Sequence, residues 1–394
     1  MEYKYQLILL GSEVIQKDKI LKAFEDKIND LKLPFSIIKI ITEENYNSEY
    51  LGNQPAFVLY FGDINGEHKH LDITSKLLKD GTMILPIFFK DESFSKEIPS
   101  ILSNQNGIQF KENEIDRIAN IILESFELLR NTRKIFISYK RNESTSIAIQ
   151  LFEALESYNY DVFLDTHSIG KGEPFQDELW HRMTDCDVII LLNTPQFLES
   201  YWCKEEFAEA SSKQIGIVQL VWPNHKIEKI DVTSHISYPI KLNDFDFVNN
   251  IYNNKDQSKL VDRMVEEIIQ KVESIRARNL ASRQDNLITD FRNIAKDCGR
   301  DVVVQPEKFL TEEIDGRKII YIPTIGVPQS TSCQSAEIRH EFEKQVNTSI
   351  RLIYDDLRIR DKWLKHLDWL NDNFKKEIKT LKKQEFKSWL ETTK

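Results

Sequence analysis

The sequence predicts an α/β protein made of two successive parallel-sheet domains followed by an α-rich region with a small β-hairpin. Three observations carry that prediction. Short apolar runs alternate with amphipathic stretches, the alternation starts afresh near residue 133, and it gives way to long helical patterns near residue 254. A strand covered on both faces reads as a continuous apolar run, and its parallel neighbour is reached only through a crossover long enough for a helix. At 394 residues the chain also exceeds what one core fills, since single cores stop growing near ~250 residues.

In the first region the runs are QLILL (6–10), FSIIKII (35–41), AFVLYF (56–61), MILPIFF (83–89) and GIQF (107–110). Helical patterns stand at 17–31, 71–79 and 113–129, which gives an α/β layer structure. The second region repeats the grammar with IFISY (135–139), YDVFLD (160–165), DVIILLN (187–193) and GIVQLVW (216–222). Helices are expected between them at 143–157, 174–183 and 202–213, a flavodoxin-like winding of five parallel strands. Beyond 254 a helical pattern runs through 283, DVVVQP and KIIYIP flank the turn IDGRK as a hairpin, and a run of helix is expected over 335–390. Trp363, Trp369, Phe374, Phe386 and Trp389 are its aromatic anchors. The expected domains are 1–130, 131–275 and 276–394.

With 41% hydrophobic and 29% charged residues, the composition is that of a folded protein. A net charge of -10 argues against bulk electrostatic binding of nucleic acid, which needs a concentrated basic face. The stretch Lys375 to Lys387 (KKEIKTLKKQEFK) is the one candidate patch, and it reads more simply as a solvated helix face. Cys186, Cys203, Cys298 and Cys333 stand far apart, which suits free thiols in a reducing compartment. His340 and Glu341 have no histidine partner at i+4, so no metal site is expected. The opening MEYKYQLILLG holds too short an apolar run for a signal peptide, and no stretch approaches the ~20 apolar residues of a membrane span. A cytosolic, unanchored protein is expected.

Three segments of the second region, IFISYKRNES (135–144), FLDTHSIGKGEPF (163–175) and SYWCKEEF (200–207), resemble in order and spacing the signature regions of the Toll/interleukin-1 receptor (TIR) domain family. The resemblance covers about a third of the chain and implies a five-stranded flavodoxin-like domain. Some members of the family are adaptors that only associate; others cleave NAD⁺ between nicotinamide and ribose. In the enzymatic members a glutamate lies four positions after a Trp, and here Glu206 follows Trp202 at that spacing. Glu205 points about 100° away around a helix and is the lesser candidate.

Breaking the bond to a cationic nicotinamide leaves positive charge on the ribose, so a carboxylate beside it stabilises the transition state more than the ground state. Nicotinamide departs neutral, so the second carboxylate of ordinary glycosidases is less necessary. The resemblance further implies substrate-binding roles for Ser138, Tyr139, Lys140 and Arg141 at the end of the first strand, with the two basic residues either meeting the pyrophosphate or simply solvated. Asp165 opens the loop THSIGKGEP, in which Gly170 and Gly172 permit φ > 0. Phe175 stands where a base-stacking aromatic lies in enzymatic relatives, and a helix-packing role fits it as well. Trp202 is a pocket wall or core. Cys203 has no nearby His and is not read as a nucleophile.

The first domain is similar to a degenerate TIR unit through ILPIFFKDESFSKEIP (84–99). Ile73 stands where Glu206 would, and the first strand ends LLGSEV, without the Ser-Tyr-basic turn. It is therefore expected to be non-catalytic and to serve assembly or sensing. The functional expectation is an NAD⁺ glycohydrolase effector, with NAD⁺ as substrate and no cofactor or metal, giving ADP-ribose, a cyclic isomer or a base-exchanged dinucleotide. The resemblance implies a prokaryotic antiphage role, self-association through TIR domains and a protein trigger or partner. The alternative is a non-catalytic TIR adaptor.

Overall fold

The computed structural model describes residues 5–164, 175–197, 215–225, 237–343, 348–373 and 377–393, side chains excepted at 175–176 and 339–343. It divides into two compact units, Met1–Asn131 and Thr132–Lys394.

In the first unit the apolar runs become β1 (Tyr5–Gly11), β2 (Ile38–Ile41), β3 (Ala56–Phe61), β4 (Met83–Phe88) and β5 (Ile108–Gln109). All pair in parallel, in the order β2-β1-β3-β4-β5. The crossovers carry α1 (Gln16–Asp30), α2 (Glu43–Glu49), α3 (Leu71–Lys79), α4 (Phe94–Glu97) and α5 (Ile115–Ser125). Helices α1 and α5 pack together, burying Ile20, Phe24 and Ile28 of one and Ile118, Ile122 and Leu123 of the other. Gln6, buried within apolar β1, is satisfied by the backbone of Leu51: its Nε2 donates to Leu51 O (2.7 Å) and its Oε1 accepts from Leu51 N (2.7 Å).

The second unit opens with the same winding: β6 (Lys134–Ser138), β7 (Asp161–Leu164), β8 (Val188–Asn193), β9 (Gly216–Val221) and β10 (Ser237–Lys241) form a parallel sheet ordered β10-β9-β8-β6-β7. Helices α6 (Arg141–Ser157) and α7 (Phe175–Thr184) belong to its crossovers. Strand β10, SYPIK, is partly exposed at the sheet edge and carries Pro239, which suits an edge position.

Helix α8 (Asp262–Asp297) is 36 residues long, roughly 54 Å at 1.5 Å per residue. Its first half enters the core of the second unit's parallel sheet through Met264, Ile268, Val272 and Ile275. Its second half enters another core through Leu287, Ile288, Phe291 and Ala295. Between the two, its polar residues meet the starts of the sheet strands. Arg276 Nε lies 2.6 Å from Asp187 Oδ2 with both side chains fully buried. Arg133 pairs with Glu273. Arg283 donates to the carbonyls of Thr184 and Cys186 (both 2.7 Å). The start of β9 approaches so closely that a Cβ on Gly216 would stand 1.6 Å from Asn279 Nδ2.

The C-terminal residues hold more strand than the pattern suggested. The hairpin arms are β12 (Leu310–Ile314) and β13 (Arg317–Pro323) around Asp315 and Gly316, while the DVVV segment supplies only β11 (Val303–Val304), which pairs with β12. The expected helical run over 335–390 is corrected to α9 (Ser330–Glu343), β14 (Thr348–Tyr354), α10 (Asp361–Asn373), β15 (Ile378–Lys382) and α11 (Phe386–Thr392). Strands β13, β14 and β15 pair in parallel through the α9 and α10 crossovers. TSIRLIY alternates buried and half-buried positions over its first four residues and IKTLK over its first three, a strand period too short to stand out among their Arg and Lys residues. The basic stretch Lys375–Lys387 is a solvated helix face only at its end, where Lys387 lies exposed in α11; before it, Ile378, Thr380 and Leu381 are buried in β15, and Lys379 Nζ donates to Asn371 O (2.5 Å).

Candidate functional site

Open parallel sheets bind ligands beyond the carboxyl ends of their strands, where the strand order reverses. In the second unit that point lies between β6 and β8. Along β6, Ile135, Ile137 and Tyr139 join the core on the α6 and α8 side, and Phe136 joins the opposite cluster with Phe163, Leu179 and Trp180. Ser138, which ends β6 at 5% exposure, shares the face of Phe136, whereas the Tyr139 ring is packed on the other side with Ile147 and Trp222.

Lys140 begins the turn into α6 and is held there: its Nζ donates to Gln196 O (2.9 Å) and Oε1 (3.2 Å) and stands 3.8 Å from Glu143. Gln196 N in turn donates to Glu143 Oε2 (3.3 Å). The loops after β6 and β8 are thus tied together across the switch point. Arg141 opens α6 in an exposed position, and Phe175 opens α7. Asp165, Gly170, Gly172, Trp202, Cys203, Glu205 and Glu206 lie outside the described residues, as do the side chains of His340 and Glu341.

Two residues that sequence reasoning passed over stand at this edge. Asn193, the last residue of β8, is fully buried, and neither its Oδ1 nor its Nδ2 has a hydrogen-bond partner. The hydroxyl of Thr194, fully buried as well, has none either. The backbone groups at this point are met: Thr194 N donates to Leu192 O (3.0 Å) in a tight turn, Asn193 O accepts from Trp222 N (3.1 Å) and Thr194 O from Phe197 N (2.9 Å). By alternation from Ile189 and Leu191, Asn193 lies on the face of Phe136, Phe163 and α7. A buried amide left with both atoms unmet costs about 1–3 kcal/mol for each group, which makes it an unusual object in a folded protein. The only sequence signal is a polar pair closing an otherwise apolar run.

Helix α7, on that same face, is gripped by the C-terminal residues. Glu178 pairs with Arg360 and, at 2.9 Å, with Arg182. Burial alone would raise the Glu178 carboxyl, but the hydrogen bonds from Arg360 and Arg182 hold it below its ordinary value. The His181 ring stacks on Trp363 (5.6 Å between centroids, 14° between planes), and burial pushes its imidazole down to about 4. Asp185 pairs with Lys134 and accepts from Val327 N (2.9 Å). A cavity of ≈ 350 Å³, lined by Asp177, Trp180 and residues 358–362, lies beside α7 and does not include Ser138 or Asn193.

Among the described residues no group of three His, Cys, Asp or Glu side chains is placed to hold a metal, and no helix is long and apolar enough to cross a membrane. Cys186, Cys298 and Cys333 are free thiols.

The winding and the switch-point edge define a flavodoxin-like α/β domain. Residues 135–264 match the family model of the TIR domain, so the central domain is a TIR domain. No curated protein matches the chain. TIR domains include NAD-cleaving enzymes and adaptors, and they commonly self-associate.

Proposed function

We propose that this protein is an NAD⁺ glycohydrolase, with Glu206 as the catalytic carboxylate and the carboxyl edge of the β6–β8 sheet as the substrate site. The observation that carries the reading is the unfilled hydrogen-bonding capacity of Asn193 and Thr194 at the switch point of a TIR domain, beside Ser138. Structural polar groups are normally satisfied, so unmet ones in a ligand-binding position suit a substrate that arrives with partners of its own.

Glu206 would sit beside the ribose and stabilise the positive charge that develops at C1′ as the bond to nicotinamide breaks. The electron pair of that bond leaves with the ring nitrogen, which neutralises the pyridinium, and no proton is needed for departure. Water attacking C1′ and losing a proton then gives ADP-ribose; attack by a ring nitrogen of the substrate's own adenine gives a cyclic isomer. Ser138 and Arg141 are proposed to bind the dinucleotide, with Asp165, Phe175 and Trp202 around it. Lys140 in this arrangement orders the loops through Gln196 and reaches the pyrophosphate only by leaving that carbonyl. The protein is proposed to act in the cytosol, to self-associate through its TIR domain and to answer a protein trigger in antiphage defence.

The test is nicotinamide release from NAD⁺ by the full-length protein across a wide concentration range. Glu206→Ala and Glu206→Gln should abolish it, by on the order of 10²-fold or more, while Glu205→Ala retains most activity. Turnover retained in Glu206→Ala would overturn the assignment, and a wild-type protein that assembles yet releases no nicotinamide would favour the adaptor reading.

A further inference from the structure

We infer that Asn193, assisted by Thr194, reads the carboxamide of the nicotinamide ring and so sets which leaving groups the enzyme accepts. The inference rests on the NAD⁺-cleaving reading and goes further by assigning a chemical partner to the end of β8.

Two features of Asn193 point to that partner. The first is the completeness of its lack of bonding. Oδ1 and Nδ2 are both unmet in a fully buried side chain, whereas the comparable buried amide of Gln6 in β1 is closed on both atoms by Leu51. The desolvation cost of such a group is recovered only when a partner arrives.

The second feature is the pattern of what is missing. An open acceptor and an open donor, a few ångströms apart on one planar amide, match a group that presents a donor and an acceptor with the same spacing. A primary carboxamide does so: its NH₂ donates to Asn193 Oδ1 while its carbonyl accepts from Asn193 Nδ2. A carboxylate offers acceptors alone and would oppose Oδ1, and a ketone would leave Oδ1 empty. The Thr194 hydroxyl, next in the chain and equally unmet, leaves a further donor open at the same strand end. Within NAD⁺ the nicotinamide carboxamide presents this pair, and so does the adenine edge through N6 with N7 or N1; a dinucleotide altered only at the carboxamide separates the two. Two buried waters could fill the same positions, and they would confer no selectivity.

The experiment compares kcat/KM of the full-length protein for NAD⁺ and for 3-acetylpyridine adenine dinucleotide, in which a methyl replaces the carboxamide NH₂. The wild type should prefer NAD⁺ by about 10- to 100-fold, the size expected when a buried acceptor is left unmet. Asn193→Leu, similar in size and apolar, should lower the NAD⁺ value and leave the analogue nearly unchanged, bringing the ratio close to one. Its melting temperature should equal or exceed that of the wild type, because an orphaned amide has been removed. Asn193→Ala gives the same comparison should the leucine variant not fold.

An independent readout is stabilisation by free nicotinamide, expected as an upward shift in melting temperature in the wild type and lost in Asn193→Leu. A ratio unchanged in the variants would overturn the inference and leave Asn193 as a water-holding residue. A wild type that cleaves neither dinucleotide sinks the NAD⁺-cleaving reading. In that case the nicotinamide shift alone decides: a shift lost in Asn193→Leu upholds the reader role, and no shift in the wild type overturns it.

Discussion

The chain contains one winding twice, and the two copies treat the carboxyl edge of their sheets differently. In the first, β1 ends at Gly11 with φ +91°, where a Cβ would stand 2.1 Å from Phe61 O, so the backbones of β1 and β3 close on each other at the switch point. The polar groups around that closure answer one another. Gly11 N donates to His70 Nδ1 (3.1 Å), His70 Nε2 lies 3.0 Å from Glu43, and the Ser12 hydroxyl donates to Asp63 (2.9 Å). That last bond is the main reason the Asp63 carboxyl titrates below its ordinary value. In the second copy the corresponding edge ends in Asn193 and Thr194, buried and unanswered. The same backbone plan can be finished as a self-contained scaffold or left with bonding capacity for a ligand.

The comparison requires that the second sheet be held firmly somewhere other than its open edge, and α8 is where it is held. Arg276→Met should strand the fully buried Asp187 charge and cost about 3–5 kcal/mol in urea unfolding of the second unit. A loss under 1 kcal/mol would show that α8 is not the anchor. The next effect is set by pH. His181 is pushed from 6.5 to about 4, so below pH 6.5 the unfolded chain takes up a proton that the folded protein refuses. The associated stability is complete above pH 6.5 and is lost as pH falls towards 4, by about 3 kcal/mol in full. His181→Phe, which keeps the stack on Trp363, should flatten that slope; an unchanged slope would place the acid sensitivity elsewhere. The smallest effect tests the closed copy directly. Asp63→Ala should cost about 1 kcal/mol, because the carboxylate is largely solvated, and should leave NAD⁺ turnover unaltered. A matching fall in turnover would mean the two edges are not functionally distinct.

Much of this architecture was legible as pattern. Strands buried on both faces, such as QLILL and DVIILLN, announce themselves, and the restart at residue 133 coincides with the boundary between units. Strands carrying charge did not. TSIRLIY and IKTLK read as helix because Arg351 and Lys379 put charge into runs too short to show a clear strand period, yet both side chains reach backbone carbonyls at the sheet margin: Arg351 donates to Ile350 O and Glu377 O, and Lys379 to Asn371 O. The half-exposed edge strand SYPIK was likewise silent. At the site, Ser138, Tyr139, Lys140 and Arg141 were legible through family resemblance, but spacing could not tell that Tyr139 turns into the core. Asn193 left no mark, since a polar residue at a strand end resembles any boundary. Only burial without a partner distinguishes it.

Helix α8 has a last consequence, for the order in which the protein is made. Asp187 waits for an arginine 89 residues further along the chain, and Arg133 for a glutamate 140 residues further. During synthesis the strands of the TIR sheet leave the ribosome long before either partner does. Charges destined for burial stay in water until they are paired, so the lower edge of the sheet cannot close while α8 is still inside the exit tunnel. The central domain, though contiguous in sequence, is finished only after the start of the segment that follows it, and a nascent chain stopped at residue 260 carries every strand of the TIR sheet without the means to complete it.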